Sequence, residues 1–244
     1  MLGKSKIKYI QSLGQKKHRD DERLFVAEGP KIVAELLHDN PDGISQVYAV
    51  SSWMEERQEQ LSSSLITEVS PEELARISQL HTPNQVLAVM KQFPTSPIPS
   101  LRGSLALALD TIQDPGNLGT IIRIADWFGI PRIICSNDCA DQYNPKVVQS
   151  TMGSIGRVQL HYTDLAAWVD SQKDVSIYAA ALEGQDILQM SKLTEGVIVI
   201  GNESKGISPA VMEKVNVRVT IPQKGKAESL NAAVATGIIV SHLA

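Results

Sequence analysis

Residues 105–128, LALALDTIQDPGNLGTIIRIADWF, pass from an unbroken apolar run through a short polar turn into a segment with helical spacing. An apolar run of this kind is buried on both faces, which is the habit of a strand in a parallel sheet covered by helices. The strand is expected to end at Asp110, "DPGN" to make the turn, and Asn117 to cap a helix that starts at Leu118. At about 100° per residue, Leu118, Ile121, Ile122, Ala125 and Phe128 share one face. Arg123 falls on the opposite side, with Gly119 one turn earlier leaving room beside the guanidinium and Asp126 close enough to orient it. On this segment alone, a solvated polar face accounts for Arg123 and a simple cap accounts for Asn117.

Apolar runs continue toward the C-terminus as "IPRIICS", "GRVQLHY", "VSIYAAA", "GVIVIG" and "VRVTIP", with helical segments between them. This alternation predicts an α/β fold with an open, mostly parallel sheet over 104–244. Upstream, "FPTSPIPSLRG" holds Pro94, Pro97 and Pro99 in a stiff stretch that neither a helix nor a central strand continues through, so 96–103 reads as a linker. Residues 1–95 form a second, smaller α/β domain. "RLFVAEGPKIVAELL" joins a strand to an amphipathic helix through Gly29-Pro30; "ISQVYAVSSW", "LITEVS" and "NQVLAVMKQF" read as strands, "MEERQEQLSSS" and "PEELARISQ" as helices.

Composition excludes several classes. The 244 residues are 43% hydrophobic and 20% charged, an ordinary globular balance. No apolar run approaches the roughly 18 to 20 residues of a membrane span, and "MLGKSKIKYI" lacks a signal core, so a cytoplasmic protein without membrane contact is expected. Two cysteines, Cys135 and Cys139, are too few for a disulfide framework, and the histidines are scattered, so no metal site is expected. The net charge of −4 disfavours nucleic acid as a partner, yet residues 1–19 hold Lys4, Lys6, Lys8, Lys16, Lys17 and Arg19 with no acid. Charge alone leaves open a solvated helix or an RNA-contacting arm.

Ligands of open α/β sheets gather at the carboxyl ends of strands, which directs attention to two further loops. "GNESKGIS" follows "VIVI", with Gly201 and Gly206 allowing close backbone approach and Ser208-Pro209 opening the next helix; Asn202 and Glu203 are left without a turn-forming reason. "IPQKGKAESLNAAVATGIIV" leads from a strand through a Gly/Lys loop to a slim helix headed by Ser229 and Asn231, where capping by Ser229 is the plain explanation. Neither G-x-G-x-x-G after the first strand nor G-x-x-x-x-G-K-[ST] is present.

Taken in order, "NLGTIIRIA", "VIVIGNESKGIS" and "VTIPQKGKAESLNAAVATG" resemble the three motifs of the SpoU/TrmH family of RNA ribose 2′-O-methyltransferases, in the SPOUT superfamily. "QSTMGSIGRVQL" resembles the family's Ser-x-Gly segment, and the smaller domain resembles the L30e-like substrate-binding domain of its ribosomal-RNA branch. The resemblance implies a C-terminal trefoil knot, a homodimer through the catalytic domain, and S-adenosyl-L-methionine held by Gly201, Ile221, Leu230 and Leu182. It implies an RNA partner, ribosomal RNA first, with transfer RNA or a catalytically idle RNA-binding role as alternatives. Unknotted connections are the default, so periodicity could not have suggested the knot.

By motif position Arg123 is the essential arginine, with Asn117, Glu203, Ser229 and Asn231 positioning it and the nucleotide. A guanidinium is a poor base at neutral pH, so Arg123 is expected to stabilise developing oxyanion charge and hold a phosphate, with the proton leaving through phosphate or water. Ala232-Ala233 stands where the family commonly has Val-Ser, which bears on substrate choice more than on the reaction. In this setting the basic segment 1–19 is expected to contact phosphate.

Overall fold

The computed structural model describes residues 2–56, 63–94, 96–98 and 100–244. Contacts divide the chain into two compact units, 1–94 with 143–156, and 95–142 with 157–244.

The first unit begins with α1 (Lys4–Ser12) and α2 (Lys16–Glu22), then β1 (Leu24–Glu28), α3 (Pro30–Asp39), β2 (Ile44–Ala49), α4 (Ser51–Glu55), β3 (Ile66–Glu68), α5 (Pro71–Ile77) and β4 (Val86–Lys91). α4 begins at Ser51, inside the stretch read as strand, and ends at Glu55, so of the helix expected over "MEERQEQLSSS" only Met54 and Glu55 belong to it; Ser63–Leu65 form a 3-10 turn, and 57–62 lie outside the described residues. Gly29 takes a φ of 93° and Pro30 sits at N1, so glycine permits the corner and proline starts α3. α5 carries the capping box of Ser70 and Glu73.

The sheet order is β1-β4-β2-β3, with β2 and β3 parallel and the other pairs antiparallel. Alternate residues face two different cores. Phe25, Val86, Ala88 and Met90 join Ile32, Leu36 and Trp53 on one side, whereas Val26, Leu87 and Val89 join Ile10, Leu13, Leu74 and Ile77 on the other. Each fully buried large side chain contributes roughly 1.5–3 kcal/mol.

The basic N-terminal segment is therefore a packed helical layer, since Ile10 and Leu13 anchor it in a core. Arg19 is a correction to its expected role as a phosphate contact. It is only 2% exposed, and its guanidinium donates to the carbonyls of Leu13 at 2.9 Å and Gly14 at 2.8 Å. Lys16 pairs with Asp20 at 2.7 Å, while Lys4, Lys6, Lys8 and Lys17 are exposed.

The second unit contains β5 (Leu105–Asp110), α6 (Pro115–Trp127) and β6 (Arg132–Ser136). The chain then lends α7 (Pro145–Thr151) to the first unit. There Tyr143, Val148 and Ile155 join the Phe25 core, the Phe25 and Tyr143 rings lie 4.9 Å apart, and the Phe93 N–H donates to the Tyr143 hydroxyl at 2.8 Å. Sequence order groups this segment with 104–244; its apolar contacts group it with the smaller unit. The second unit resumes with β7 (Gln159–Thr163), α8 (Leu165–Ser171), β8 (Ile177–Asp186), β9 (Gly196–Gly201), α9 (Pro209–Met212), β10 (Val217–Thr220) and α10 (Ala232–Leu243).

Its six strands run β10-β8-β9-β5-β6-β7, all parallel. Ala106, Ala108, Ile134, Val197 and Val199 pack under α8 and α9 with Leu165, Val169 and Val211. α6 packs beside α10, and these two helices touch β6 and β9. The stripe Leu118, Ile121, Ile122 and Ala125 is fully buried, as the helical spacing requires, and Phe128 at its end is 37% exposed.

From β5 the chain moves toward β6, and from β9 toward β10 on the other side, so the loops after β5 and β9 diverge at a switch point. Asp110 and Gly201, the last residues of those strands, are register partners.

Candidate active site

Helix α6 starts earlier than its apolar spacing suggested. The N-cap is Asp114, with Pro115 at N1, and the Asp114 carboxylate accepts from the Asn117 N–H at 2.9 Å. Asp-Pro is itself a strong start signal, because proline lacks the N–H that the first turn would leave unpaired. Asn117 consequently stands in the first turn with its side chain released from capping. Its Nδ2 donates to Glu203 Oε1, and its Oδ1 accepts from Asn231 Nδ2 at 2.8 Å.

Asn231, and not Ser229, caps α10, with Oδ1 accepting from the N–H groups of Ala233 at 3.0 Å and Val234 at 3.2 Å. The amide of Asn231 is thereby fixed with Nδ2 toward Asn117, which in turn leaves Asn117 Nδ2 for the carboxylate. One residue from each of the three loops enters this chain of hydrogen bonds. Ser229 is exposed and stands outside it.

Two reciprocal bonds hold the first loop to the second. Asp110, 4% exposed, accepts from the Ser208 N–H at 2.7 Å, and Asn202 Nδ2 donates to the Thr111 carbonyl at 3.0 Å. Asn202 also accepts from the N–H groups of Ser204 at 2.9 Å and Lys205 at 3.1 Å, which folds its own loop. Thr111 has a φ of 60°, an uncommon conformation for a β-branched residue. Its strain is offset by hydrogen bonds, with Thr111 N–H donating to Ser136 Oγ at 2.8 Å and the single Thr111 hydroxyl proton placed between Asp138 at 3.0 Å and Asp110 at 3.2 Å.

The Ser136 hydroxyl bonded to Asp138 holds that carboxyl below the usual range. Beneath the loop, Cys139 accepts from the Ile112 N–H at 3.3 Å and donates to the Leu109 carbonyl at 3.3 Å. Its bond with Cys135 is the largest cause that brings its thiol down to about 7.

Arg123 is exposed and has no hydrogen bond or ion pair among the described residues. Asp126 does not orient it; that carboxylate is bound by Arg157 at 2.8 Å. Gly119 lies buried in the packed part of α6. The cation thus stands exposed on a helix whose other face is buried in the core.

For the cofactor positions, a Cβ on Gly201 would lie 2.6 Å from the Gly206 carbonyl oxygen, so glycine is required for the second loop to fold back on its strand. Between Arg218 and Val219 the β10 partners in β8 jump from Ala179 to Gln185, so 180–184 loop out. Leu182, in that bulge, is 76% exposed, and its carbonyl accepts from the Thr220 hydroxyl at 3.0 Å. Leu230 is 44% exposed and Ile221 half-buried. The exposed apolar side chains of Leu182 and Leu230 are of the kind that suits a flat heteroaromatic ring such as that of an adenosyl group.

The sequence reading did not find Asp110, Thr111, Asp114, Ser136 and Asp138 as site-forming residues. Asp110 at a strand end and Asp114 before Pro115 carried local signals; the Ser136 and Asp138 contacts carried none, because they come from a neighbouring strand.

Residues 104–241 match the SpoU rRNA Methylase family, and residues 4–88 match the MRM3-like substrate binding domain. The chain is 32% identical to the 23S rRNA (guanosine(2553)-2'-O)-methyltransferase RlmP of Bacillus subtilis, covering 98% of this chain and 95% of that protein. A solved structure from Porphyromonas gingivalis assigned to the TrmH family superposes with a TM-score of 0.87 at 35% identity, covering 99% of this chain and 98% of that one. The AdoMet-bound rRNA methyltransferase from Sinorhizobium meliloti gives a TM-score of 0.84 at 31% identity, covering 99% and 95%. With three motif loops tied together at the carboxyl ends of a parallel sheet and a match across more than half its length, this chain belongs to the SpoU rRNA methylase family.

Proposed function

We propose that this chain transfers a methyl group from S-adenosyl-L-methionine to a ribose 2′-hydroxyl of ribosomal RNA. The observation that carries the reading is the hydrogen-bonded chain Asn231–Asn117–Glu203, which unites the three motif loops within the matched region. The named activities of the relatives from B. subtilis and S. meliloti point to ribosomal RNA ahead of transfer RNA.

When bound, the cofactor supplies an electrophilic methyl group, so the protein's contribution is position and electrostatics. Backbone groups of Gly201, Ile221 and Leu230, with the Leu182 bulge, hold it. Arg123 binds a substrate phosphate and stabilises charge developing on the ribose oxygen, a role open to a guanidinium that no carboxylate among the described residues pairs with. Asn117 and Asn231 fix the nucleotide side of the site, and Ser229, exposed in the third loop, contacts the substrate.

In the same reading, 1–95 is an L30e-like substrate-binding domain, 96–103 a linker and 104–244 the catalytic domain with its trefoil knot. The matched intervals 4–88 and 104–241 support this division. Two copies pair through the catalytic domain; Trp127, 82% exposed at the end of α6, and Val234, 51% exposed on α10, are apolar surface that pairing would cover. No described helix is long and apolar enough to cross a membrane, which suits work on ribosomal RNA in the cytoplasm.

The test is incorporation of labelled methyl from S-adenosyl-L-methionine into ribosomal RNA and ribosomal particles. Incorporation at one 2′-hydroxyl, lost in Arg123→Ala, is expected. Failure of the wild-type protein to label any RNA overturns the reading.

A further inference from the structure

Cys135 and Cys139 are the chain's two cysteines, and neither belongs to a motif loop. Cys135 lies in β6, after which the chain turns at Ser136–Cys139. The Cys139 N–H closes the turn on the Ser136 carbonyl at 3.1 Å and returns Cys139 to the end of the same strand. There the Cys135 thiol donates to the Cys139 sulfur. Both are free thiols; Cys135 is fully buried and Cys139 is 9% exposed.

The two thiols differ in acidity. Burial pushes the Cys135 thiol up, so it stays protonated. The Cys139 sulfur takes hydrogen bonds from Cys135, above all, and from Ser136 and the Ile112 N–H; these outweigh burial and the Asp138 charge and bring it down to about 7. Cys139 is thus partly thiolate near neutral pH, the form that attacks an oxidant, and Cys135 is a thiol held against it.

This turn also supports the first motif loop from beneath. Cys139 Sγ accepts from the Ile112 N–H and donates to the Leu109 carbonyl, each at 3.3 Å, and the Ala140 N–H donates to the Ile112 carbonyl at 2.9 Å. Both polar backbone groups of the fully buried Ile112 are therefore bound by residues 139 and 140, just before the α6 cap Asp114 and the site residue Asn117.

We propose that Cys135 and Cys139 form a reversible oxidation site, in which a peroxide converts the pair to a disulfide and loosens the first motif loop. The Cys139 sulfur attacks a peroxide oxygen; the oxygen–oxygen bond breaks, leaving a sulfenic acid on Cys139 and releasing water. The Cys135 sulfur then attacks the Cys139 sulfur, a sulfur–sulfur bond forms, the sulfur–oxygen bond breaks, and hydroxide leaves with the Cys135 proton as water. The two thiols lose two electrons and two protons, and one hydrogen peroxide becomes two waters. The disulfide has no proton for the Leu109 carbonyl and draws Cys139 from the Ile112 N–H, so a buried donor loses its partner beneath the loop that carries Asn117. Resting on the methyl-transfer reading above, the oxidised protein is the slower methyltransferase, and reduction restores it.

The wild-type full chain provides the first test, with hydrogen peroxide as the oxidant. Ile133–Lys146 is a single tryptic peptide holding both cysteines, so the disulfide is read as the loss of two hydrogens from that peptide and of both alkylation sites. Peroxide should give this product, with methyl transfer lowered about tenfold or more, and dithiothreitol should reverse both. Cys135→Ala should fold, keep the rate of the reduced wild type, and stop at a sulfenic acid on Cys139 that dimedone captures. Thiols still open to alkylation after peroxide, a disulfide only between chains, or a sulfinic acid on Cys139 beside an untouched Cys135 overturns the site. An unchanged rate in the disulfide form overturns its action on the loop. Reduced wild-type protein that transfers no methyl would instead overturn the proposed function, while the peptide masses still decide the oxidation site.

Discussion

Asn231 donates its side-chain amide to Asn117 Oδ1 at 2.8 Å, across 114 positions of sequence, while its own carbonyl oxygen caps α10. One side chain thus performs two tasks that substitution can separate. Asn231→Asp keeps an acceptor for the cap and loses the donor to Asn117, so the melting temperature should hold while kcat falls on the order of tenfold to a hundredfold through misplacement. Asn231→Ala should lose both, with about 1 kcal/mol of stability gone as well. Thermal melts beside single-turnover rates distinguish the two; an Asn231→Asp enzyme at full rate would mean that the amide relay has no part in positioning.

The glycines of the second loop differ in what they permit. A Cβ at Gly201 meets backbone, whereas one at Gly206 meets open space but a φ of 69°. Gly201→Ala is expected to cost up to about 3 kcal/mol by overpacking and to abolish cofactor binding; Gly206→Ala is expected to cost about 1–2 kcal/mol and leave binding measurable. Denaturation midpoints and cofactor titration report both, and equal losses would refute the distinction.

Arg123 projects into solvent without a protein partner among the described residues. Arg123→Lys keeps the charge but removes the planar pair of donors, so turnover should drop by about tenfold or more with melting unchanged. Near-normal turnover would rule out two-pronged recognition of a phosphate.

The basic N-terminal helices contain residues of two kinds. Arg19 binds two backbone carbonyls while buried, so Arg19→Ala should cost about 2–3 kcal/mol in stability. Lys4 and Lys8 are exposed, and replacing both by alanine should leave melting unchanged and weaken RNA binding. The slope of log affinity against log salt should then become shallower by up to about 0.9 for each phosphate that is no longer neutralised. Binding isotherms across a salt series decide this; an unchanged slope would remove the helix from the RNA interface.

Much of the second unit was legible along the chain because local rules agree there: apolar runs became buried parallel strands, and the stripe Leu118, Ile121, Ile122, Ala125 became the buried face of α6. The three motif loops were legible through their joint resemblance to the family's motifs, since each alone had a plain capping or polar-face explanation; Asn202, read as without a turn-forming reason, in fact folds its own loop by accepting from Ser204 and Lys205. Helix starts were misplaced where two capping residues competed. Asp114 outranked Asn117 and Asn231 outranked Ser229, and in both cases the outcome set which polar side chain was released for the site and which was spent on the backbone.

Sequence alone determined the parallel α/β class, the strand-end loops and the residue types gathered in them, because side-chain periodicity and turn chemistry act over a few residues. Tertiary structure decided that Asn117, Glu203 and Asn231 meet, that Asp126 belongs to Arg157, and that residues 143–156 pack with the smaller unit. Those outcomes depend on strand order and on competition between distant partners for a limited number of hydrogen bonds and apolar contacts, which no local window of sequence contains.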